Sequence, residues 1–274
     1  GVPGERDDYD MVPVKTAVNA FHCWNLGLFA RVAGVLGRGA DRDFFTQRQR
    51  QVTESLQRVC FDPDRGIYVD GEGSDHASLH ANMLPAAFGL VPREHRATVG
   101  AFLRSRGMAC SVYGAQFLLE ALYRLGDDSH ALALMTAQHD RGWLHMLDLG
   151  STITLEAWDV RYKANLDWNH AWGAAPANII HRCLMGVRPQ RPGFRSILIA
   201  PQPASLQWAK SRVPTPHGPV VRVTVPNGCT ATVDLTGMVP ADCAATVDGK
   251  LQTVQALRDS SLDAGLHHIE TKGR

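Results

Sequence analysis

No apolar run in this 274-residue sequence approaches the length of about 18 to 20 residues that a membrane-spanning helix needs. Its opening stretch, GVPGERDDYD, is polar rather than a signal peptide, so no membrane partner is expected. Excess charge is missing too. Lys+Arg 28 stands against Asp+Glu 27, a formal net charge of +1, which argues against a polyanion-binding surface and makes nucleic acid an unexpected partner. The cysteines Cys23, Cys60, Cys110, Cys183, Cys229 and Cys243 form no CxxC pair, and no histidine follows them at zinc-finger spacing. They read as buried or idle thiols, which favours a reducing, cytoplasmic location, and Cys229 with Cys243 is the one pair to check for a bridge. A Gly-rich phosphate loop, HExxH and GxSxG are all absent, which removes nucleotide binding and metalloprotease chemistry. The acids are not spaced as a calcium loop, so neither a metal nor another cofactor is expected.

What is present changes character once, near residue 190. Ahead of it, segments of helical period follow one another at 14–37, 44–60, 76–90, 93–107, 112–126 and 129–140, with a further helix over 167–186. In the first, Val14, Val18, Phe21, Trp24, Leu28 and Val32 recur every three or four positions as one broad apolar stripe. Gly37, Gly89 and Gly126 stand where a left-handed cap would stop a helix, and short connections imply antiparallel hairpins. After RPQRPGF the runs RSILIAPQP, GPVVRVTVPNGCTATVDLTG, AATVDGKLQTVQ and LHHIETK are β-branched and bounded by turn residues. The expected organisation is mainly α with a β tail: helical hairpins over 1–190 and a small antiparallel β domain over 191–274. At 274 residues the chain can bury a substantial core. The run ERDDYD reads as a solvated acidic tail, and DPDRG at 62–66 as a turn. His22, His76, His80 and His145 read as ordinary packed or surface histidines.

One carboxylate stands out. LGSTITLEAW, residues 149–158, carries Glu156 alone among small, β-branched and apolar residues. A carboxylate taken out of water is costly unless it is paired, hydrogen-bonded or used. Around it lie Trp143, His145, Trp158, Trp168, Asn169, His170 and Trp172, among them four of the six tryptophans. Any one tryptophan is as readily a core residue. Together, aromatic faces that stack on sugar rings and Asn, His and Glu side chains that satisfy hydroxyls fit a carbohydrate pocket.

The series HDRGWLHMLDLGSTITLEAWD, then NLDWNHAWGAAPANIIHRCLMGVRPQRPGFRSILIAPQP, then TPHGPV resembles the C-terminal part of the α-L-rhamnosidases of glycoside hydrolase family 78. Gly150, Ser151, Thr152, Thr154, Glu156 and Trp158 match one motif of that family. Asn169, His170 and Gly173 match a second, and Gly186, Pro189, Pro192, Gly193 and Phe194 a third. HANMLPAAFGLVP and SVYGAQFLLEAL also resemble its barrel helices.

The resemblance implies an (α/α)6 barrel, here partial, followed by a C-terminal β-sandwich, and inverting hydrolysis of terminal α-L-rhamnosyl residues. An inverting enzyme sets an acid and a base about 6.5 to 9.5 Å apart, leaving room for the attacking water. By resemblance Glu156 is the general base, His170 binds the sugar or water beside it, and Trp143 walls the rhamnose subsite. Asn169, Trp158 and Tyr113 belong to the same substrate region as supporting or packing residues. The family's general acid falls upstream of any segment matched here, so it is not assigned to Glu5, Asp7 or Asp8. The expected partners are a rhamnose-containing oligosaccharide or glycoside, and the acid-bearing part of the enzyme, in the same or another chain. Two alternatives stay open: another (α/α)6 carbohydrate-active enzyme, and a non-catalytic glycan-binding or assembly fragment.

Overall fold

The computed structural model describes residues 4–189, 196–206, 208–215, 218–226, 230–234, 244–260, 262–263 and 267–271. Two compact units divide the chain, Gly1–Gly173 and Ala174–Arg274.

The first unit is helical. Helices α1 (Thr16–Val35) and α2 (Gly39–Cys60) pack against each other, and a two-stranded hairpin, β1 (Phe61–Asp62) and β2 (Ile67–Tyr68), follows. The turn between these strands is held by Asp62 Oδ1, which accepts the backbone N–H groups of Asp64 and Arg65 at 3.0 Å each. Next come α3 (Leu79–Ala87), α4 (Arg96–Arg106), α5 (Ala115–Leu125), α6 (Asp128–Met135) and the short α7 (Trp143–Asp148). Gly37, Gly89 and Gly126 all take positive φ just past a helix, the stop that their positions in the sequence imply. The core lies along α3 and α5, where Leu79, Met83, Leu118, Leu119 and Leu122 are almost wholly buried.

Polar side chains fix how these helices are entered. Ser78 caps α3 by accepting the Ala81 N–H at 3.2 Å. Asn82 then accepts the Tyr68 N–H and donates to the Tyr68 carbonyl, both at 2.9 Å, so α3 is tied to β2 as another strand would be. The ERDDYD run is not a solvated tail. Asp7 is buried, accepts the Leu79 N–H at 2.6 Å and pairs bidentately with Arg106, while the Tyr9 hydroxyl donates to the Asp70 carbonyl at 2.8 Å. Acidic residues that look hydrophilic in sequence are here the partners of otherwise unpaired helix-start donors.

The apolar stripe of the first helix is also turned differently from what its pattern suggests. The buried residues of α1 are Thr16, Ala20, Cys23, Leu26 and Ala33, while Val14, Val18, Trp24 and Val32 are exposed. The expected helix over 167–186 begins only at Ala175, with Pro176 in its first turn. Residues ahead of it are held in another conformation by the backbone bonds described below.

In the second unit a short helix α8 (Ala175–Ile179) runs into one π-type turn (Ile180–Leu184). Two antiparallel sheets follow. One has the order β3 (Val187–Pro189), β4 (Ser196–Ile199), β11 (His267–Thr271), β8 (Ala244–Val247), β9 (Lys250–Thr253). The other runs β10 (Leu262–Asp263), β7 (Thr230–Asp234), β6 (Gly218–Pro226), β5 (Trp208–Thr215). Between β8 and β9, Asp248 and Gly249 both take positive φ, the two-residue turn that matches strand twist. The strand run expected to continue through Val254 and Gln255 stops at Thr253, whose hydroxyl accepts the Ala256 N–H at 3.0 Å and caps α9 (Val254–Asp259). The contact division at 173/174 precedes the change of sequence pattern because α8 and its turn are bonded to the sheets: the Gln202 N–H donates to the Leu184 carbonyl and the Ala200 N–H to that of Gly186.

Cys23, Cys60 and Cys110 are buried free thiols, and Cys183 is buried too. Cys229 and Cys243 lie outside the described residues, as do Pro192, Gly193 and Phe194. No helix among the described residues is long and apolar enough to cross a membrane.

Candidate active site

Glu156 sits in the first unit on a segment with no helix or strand of its own, so its position depends on what the backbone pairs with. Residues 154–156 pair with 167–170. The Glu156 N–H donates to the Asp167 carbonyl at 3.0 Å and the His170 N–H to the Thr154 carbonyl at 2.9 Å, while the Thr154 hydroxyl donates to the His170 carbonyl at 2.7 Å. Gly173 lets the two stretches close: a Cβ there would meet the Leu155 carbonyl oxygen at 2.8 Å. Side chains alternate along this extended stretch, with Leu155 fully buried and Glu156 half-buried at the rim. Burial of its neighbours Leu155 and Ala157 on either side fixes where the carboxylate is presented.

Both carboxylate oxygens of Glu156 have partners. The Lys163 ammonium donates to Oε1, and the Asp167 N–H donates to Oε2 at 3.0 Å. These two bonds, with the charges of Lys163 and His170, hold its carboxyl below the usual glutamate range against the opposing effect of burial. Glu156 is therefore an ionised acceptor at neutral pH, the protonation state that a base needs and a proton donor does not.

His170 is brought beside it. One donor atom each of Glu156, Asp167 and His170 lies within 4.8 Å of the others, a spacing a cation could use, but the Lys163 ammonium already supplies positive charge to Glu156. The His170 ring stacks on Trp172 at 4.3 Å between centroids, and Trp172 leans on Tyr113 at 5.5 Å. Trp172 is positioned by its indole N–H, which donates to the Glu156 carbonyl at 3.1 Å. Tyr113, Trp168 and Trp172 all expose a large part of their rings, and Asn169 is exposed.

Trp143 and Trp158 form a second aromatic pair, edge to face with centroids 5.0 Å apart. The half-buried Trp143 donates its indole N–H to the Gly173 carbonyl at 2.7 Å, which ties α7 to the segment carrying His170. Trp158 is fully buried and donates to the Cys110 carbonyl at 2.8 Å, so it packs beneath Trp143 rather than meeting solvent. Behind this pair His145 Nε2 lies 2.6 Å from the buried Asp159 Oδ2. Burial pushes the Asp159 carboxyl up, but the Arg161 N–H, the His145 ring and the Arg161 guanidinium together hold it below its ordinary value.

Glu156, His170 and the Trp143–Trp158 pair were grouped from the sequence and Tyr113 was added by resemblance alone, whereas Lys163, Asp167 and the Asp159–Arg161 pair were not singled out. One signal pointed to Lys163: it is the only lysine between Lys15 and Lys210 in a chain that otherwise uses arginine there.

The family model described as the bacterial alpha-L-rhamnosidase 6 hairpin glycosidase domain matches residues 2–184, and that of the bacterial alpha-L-rhamnosidase C-terminal domain matches residues 186–249. An alpha-L-rhamnosidase from Alteromonas sp. (strain LOR) is 25% identical over 236 residues, covering 80% of this chain and 25% of the relative. One from Streptomyces avermitilis is 23% identical over 223 residues, 77% of this chain and 21% of the relative. Among solved structures, the GH78 family rhamnosidase of Bacillus sp. GL1 superposes with a TM-score of 0.67 at 25% identity, covering 80% of this chain and 24% of that one. The Streptomyces avermitilis α-L-rhamnosidase complexed with L-rhamnose gives a TM-score of 0.65 at 20% identity, over 93% of this chain and 26% of that one. The chain thus spans about a quarter of the length of the relatives it matches.

Proposed function

Because this chain belongs to the bacterial α-L-rhamnosidase six-hairpin glycosidase family, we propose that it forms the base-bearing part of an inverting α-L-rhamnosidase, with Glu156 as the general base. The observation that carries this reading is the state of Glu156. It is an ionised carboxylate next to the partly exposed Trp172, held from one side by Lys163 and from the other by the Asp167 N–H.

In this reading the terminal rhamnosyl ring packs against the exposed aromatic faces around Trp172, with Trp143 as the wall behind. Carboxylate oxygens carry two lone pairs each, so Glu156 has acceptor capacity left for a water after Lys163 and Asp167 are served. That water loses its proton to Glu156 as it attacks the anomeric carbon, and the glycosidic oxygen leaves on the opposite face with a proton from an acid. His170, next to both the carboxylate and Trp172, orients the water or a sugar hydroxyl. The Lys163 ammonium keeps Glu156 ionised but also lowers its basicity, so the pair is tuned for turnover in mildly acidic to neutral water. Asp7 is not the acid, since it is buried against Arg106. The substrate class, a rhamnose-containing glycoside, is supported by the names of the relatives and by the L-rhamnose complex of the Streptomyces enzyme.

The test is release of p-nitrophenol from p-nitrophenyl α-L-rhamnopyranoside, using this chain co-expressed with the part of the Alteromonas relative that it does not match. Glu156→Gln is run beside it, and the first-formed anomer is read by NMR. Turnover that falls by roughly 10² to 10⁴ in Glu156→Gln, with the inverted anomer appearing first, is expected. Unchanged turnover in Glu156→Gln, or first appearance of the retained anomer, would sink the assignment.

A further inference from the structure

The ammonium that holds Glu156 comes from Lys163, a long side chain that is 40% exposed. Such a pair gains little by itself, because ordering a lysine costs rotamer freedom and water screens the charge. It persists where the backbone presents the ammonium in one place. The residue that fixes this backbone is the preceding one. Between Asp159 and Leu166 the chain is exposed or half-buried except at Tyr162, which is buried.

A clamp of charged groups closes on the Tyr162 ring. Its hydroxyl donates to Asp140 Oδ2 at 2.5 Å and accepts the Arg141 Nε–H at 3.1 Å. The guanidinium carbons of Arg141 and Arg161 stand 5.2 and 5.8 Å from the ring centroid, within cation–π range. Arg161 also reaches Asp140 at 3.3 Å and Asp159 at 3.2 Å, and its backbone N–H donates to Asp159 Oδ1 at 3.0 Å. Arg141 in turn donates to the Gly4 carbonyl at 2.9 Å, so the clamp is anchored outside the loop that it holds. Burial, and after it Asp140, push the Tyr162 phenol above its ordinary value. The Tyr162 hydroxyl is in turn first among the groups that hold the Asp140 carboxyl below its own, so donor and acceptor reinforce each other. The backbone carries this position onward. The Tyr162 N–H donates to the Asp159 carbonyl at 3.0 Å and the Leu166 N–H to the Lys163 carbonyl at 3.1 Å, which leaves Lys163 between two bonded turns.

We propose that Tyr162 is a positioning residue for the candidate base: locked to Asp140 and Arg141, it fixes the backbone from which Lys163 reaches Glu156 and so keeps the ammonium on the carboxylate. Tyr162 acts through Lys163. The charged and titratable groups that face Glu156 are the Lys163 ammonium, the Asp167 carboxylate and His170, and of these Lys163 alone adjoins the clamp in the chain. Those that face Tyr162 are Asp140, Arg141 and Arg161. The consequence for catalysis rests on Glu156 being the base, whereas the hold on its carboxylate does not.

The experiment follows the Glu156 side-chain carboxyl carbon by NMR through a pH titration of the full chain carrying carbon-13 glutamate, its signal being the one lost in Glu156→Gln. In the unsubstituted chain it is expected to titrate below the ordinary glutamate range, and Lys163→Met to move it up. Tyr162→Phe removes a hydroxyl and no charge. It should move the titration up by part of the Lys163→Met shift, and add nothing when Lys163→Met is already present. Asp140→Ala is the second variant, at a partly exposed position where folding is expected to be retained. Losing a negative charge by itself would lower the Glu156 carboxyl, so the rise expected in Asp140→Ala reports the clamp. Ser78→Ala, which removes the cap of α3, should destabilise the unit and leave the signal in place. A titration left unmoved by Tyr162→Phe would overturn the proposal, as would a fall in Asp140→Ala. A Tyr162→Phe shift that persists in full beside Lys163→Met would overturn it too, and so would an equal shift in Ser78→Ala, which would assign the effect to general loosening. The titration needs no substrate, so its failure is distinct from a failure of turnover.

Discussion

Replacing Asp70 with alanine removes the carboxylate on which three parts of the first unit converge. Asp70 is fully buried. Its Oδ1 accepts the Ser78 N–H at 2.9 Å, and its Oδ2 accepts the Asp10 N–H at 2.7 Å and lies 2.6 Å from His76 Nδ1. The Ser78 N–H is buried at the start of α3, so leaving it unpaired costs about 1–3 kcal/mol. Asp10 is exposed and His76 partly so, and both can recover water; each lost bond there is worth about 0.5–1.5 kcal/mol. Asp70→Ala is therefore expected to lower the stability of the unit by roughly 2–6 kcal/mol. Asp70→Asn keeps one acceptor oxygen and should lie between the two. Urea unfolding followed by tryptophan fluorescence, with Trp158 as the buried reporter, gives the difference when the slope with denaturant is unchanged. A loss below about 1 kcal/mol for Asp70→Ala would show that the three donors find other partners, and would refute the anchoring role of this residue.

Stability should also fall on acidification in two stages. Burial holds His80 below its ordinary value, so the folded state resists a proton that the unfolded state takes up, and stability erodes as the pH drops below about 6.5. Asp159 and Asp140 are both held below their ordinary values, so a second loss begins as the pH falls below about 4. A melting temperature that stays flat from pH 7 to pH 5 contradicts the first stage, and His80→Gln should remove that stage alone. For the candidate site, Lys163→Met removes the strongest influence lowering the Glu156 carboxyl, which should move the acidic limb of kcat/KM to higher pH in the complemented protein. An unmoved limb would mean that another group controls it.

Helix locations were legible because period and glycine stops are local properties, and α1, α2 and α5 follow them closely. The side of a helix that faces the core was not. In α1 Val18, Trp24 and Val32 are exposed among the described residues, whereas a reader of periodicity alone assigns them inward. The ERDDYD run misled for the opposite reason. Its acids look solvated until one sees that the start of α3 needs acceptors, and Asp7 reaches Leu79 across a separation that no local rule spans. Residues 167–173 were read as the start of a helix, yet they are mostly weak helix formers and their backbone groups are drawn into pairing with 154–156. Helix α9 was hidden because the β-branched Thr253 ends one strand and caps the next helix at the same time.

The candidate site shows the same division between what is local and what is not. A lone carboxylate among apolar residues, with tryptophans on both sides, is a pattern in one dimension and was visible as such. The roles within the cluster depend on burial, which composition does not encode: Trp158 and Trp172 are the same residue type, yet one is sealed beneath Trp143 and the other is open to solvent. The lowering of the Glu156 carboxyl below its ordinary range comes from Lys163 and a backbone N–H at Asp167, both placed by a loop rather than by a repeating element. That placement has a functional consequence. In the proposed role, a base whose strength is set by a partly exposed lysine and one amide can be retuned by small movements of residues 163–167. On that proposal, a substrate that displaces the Lys163 ammonium as it binds would raise the basicity of Glu156 at the moment water is to be deprotonated, coupling substrate binding to the strength of the base.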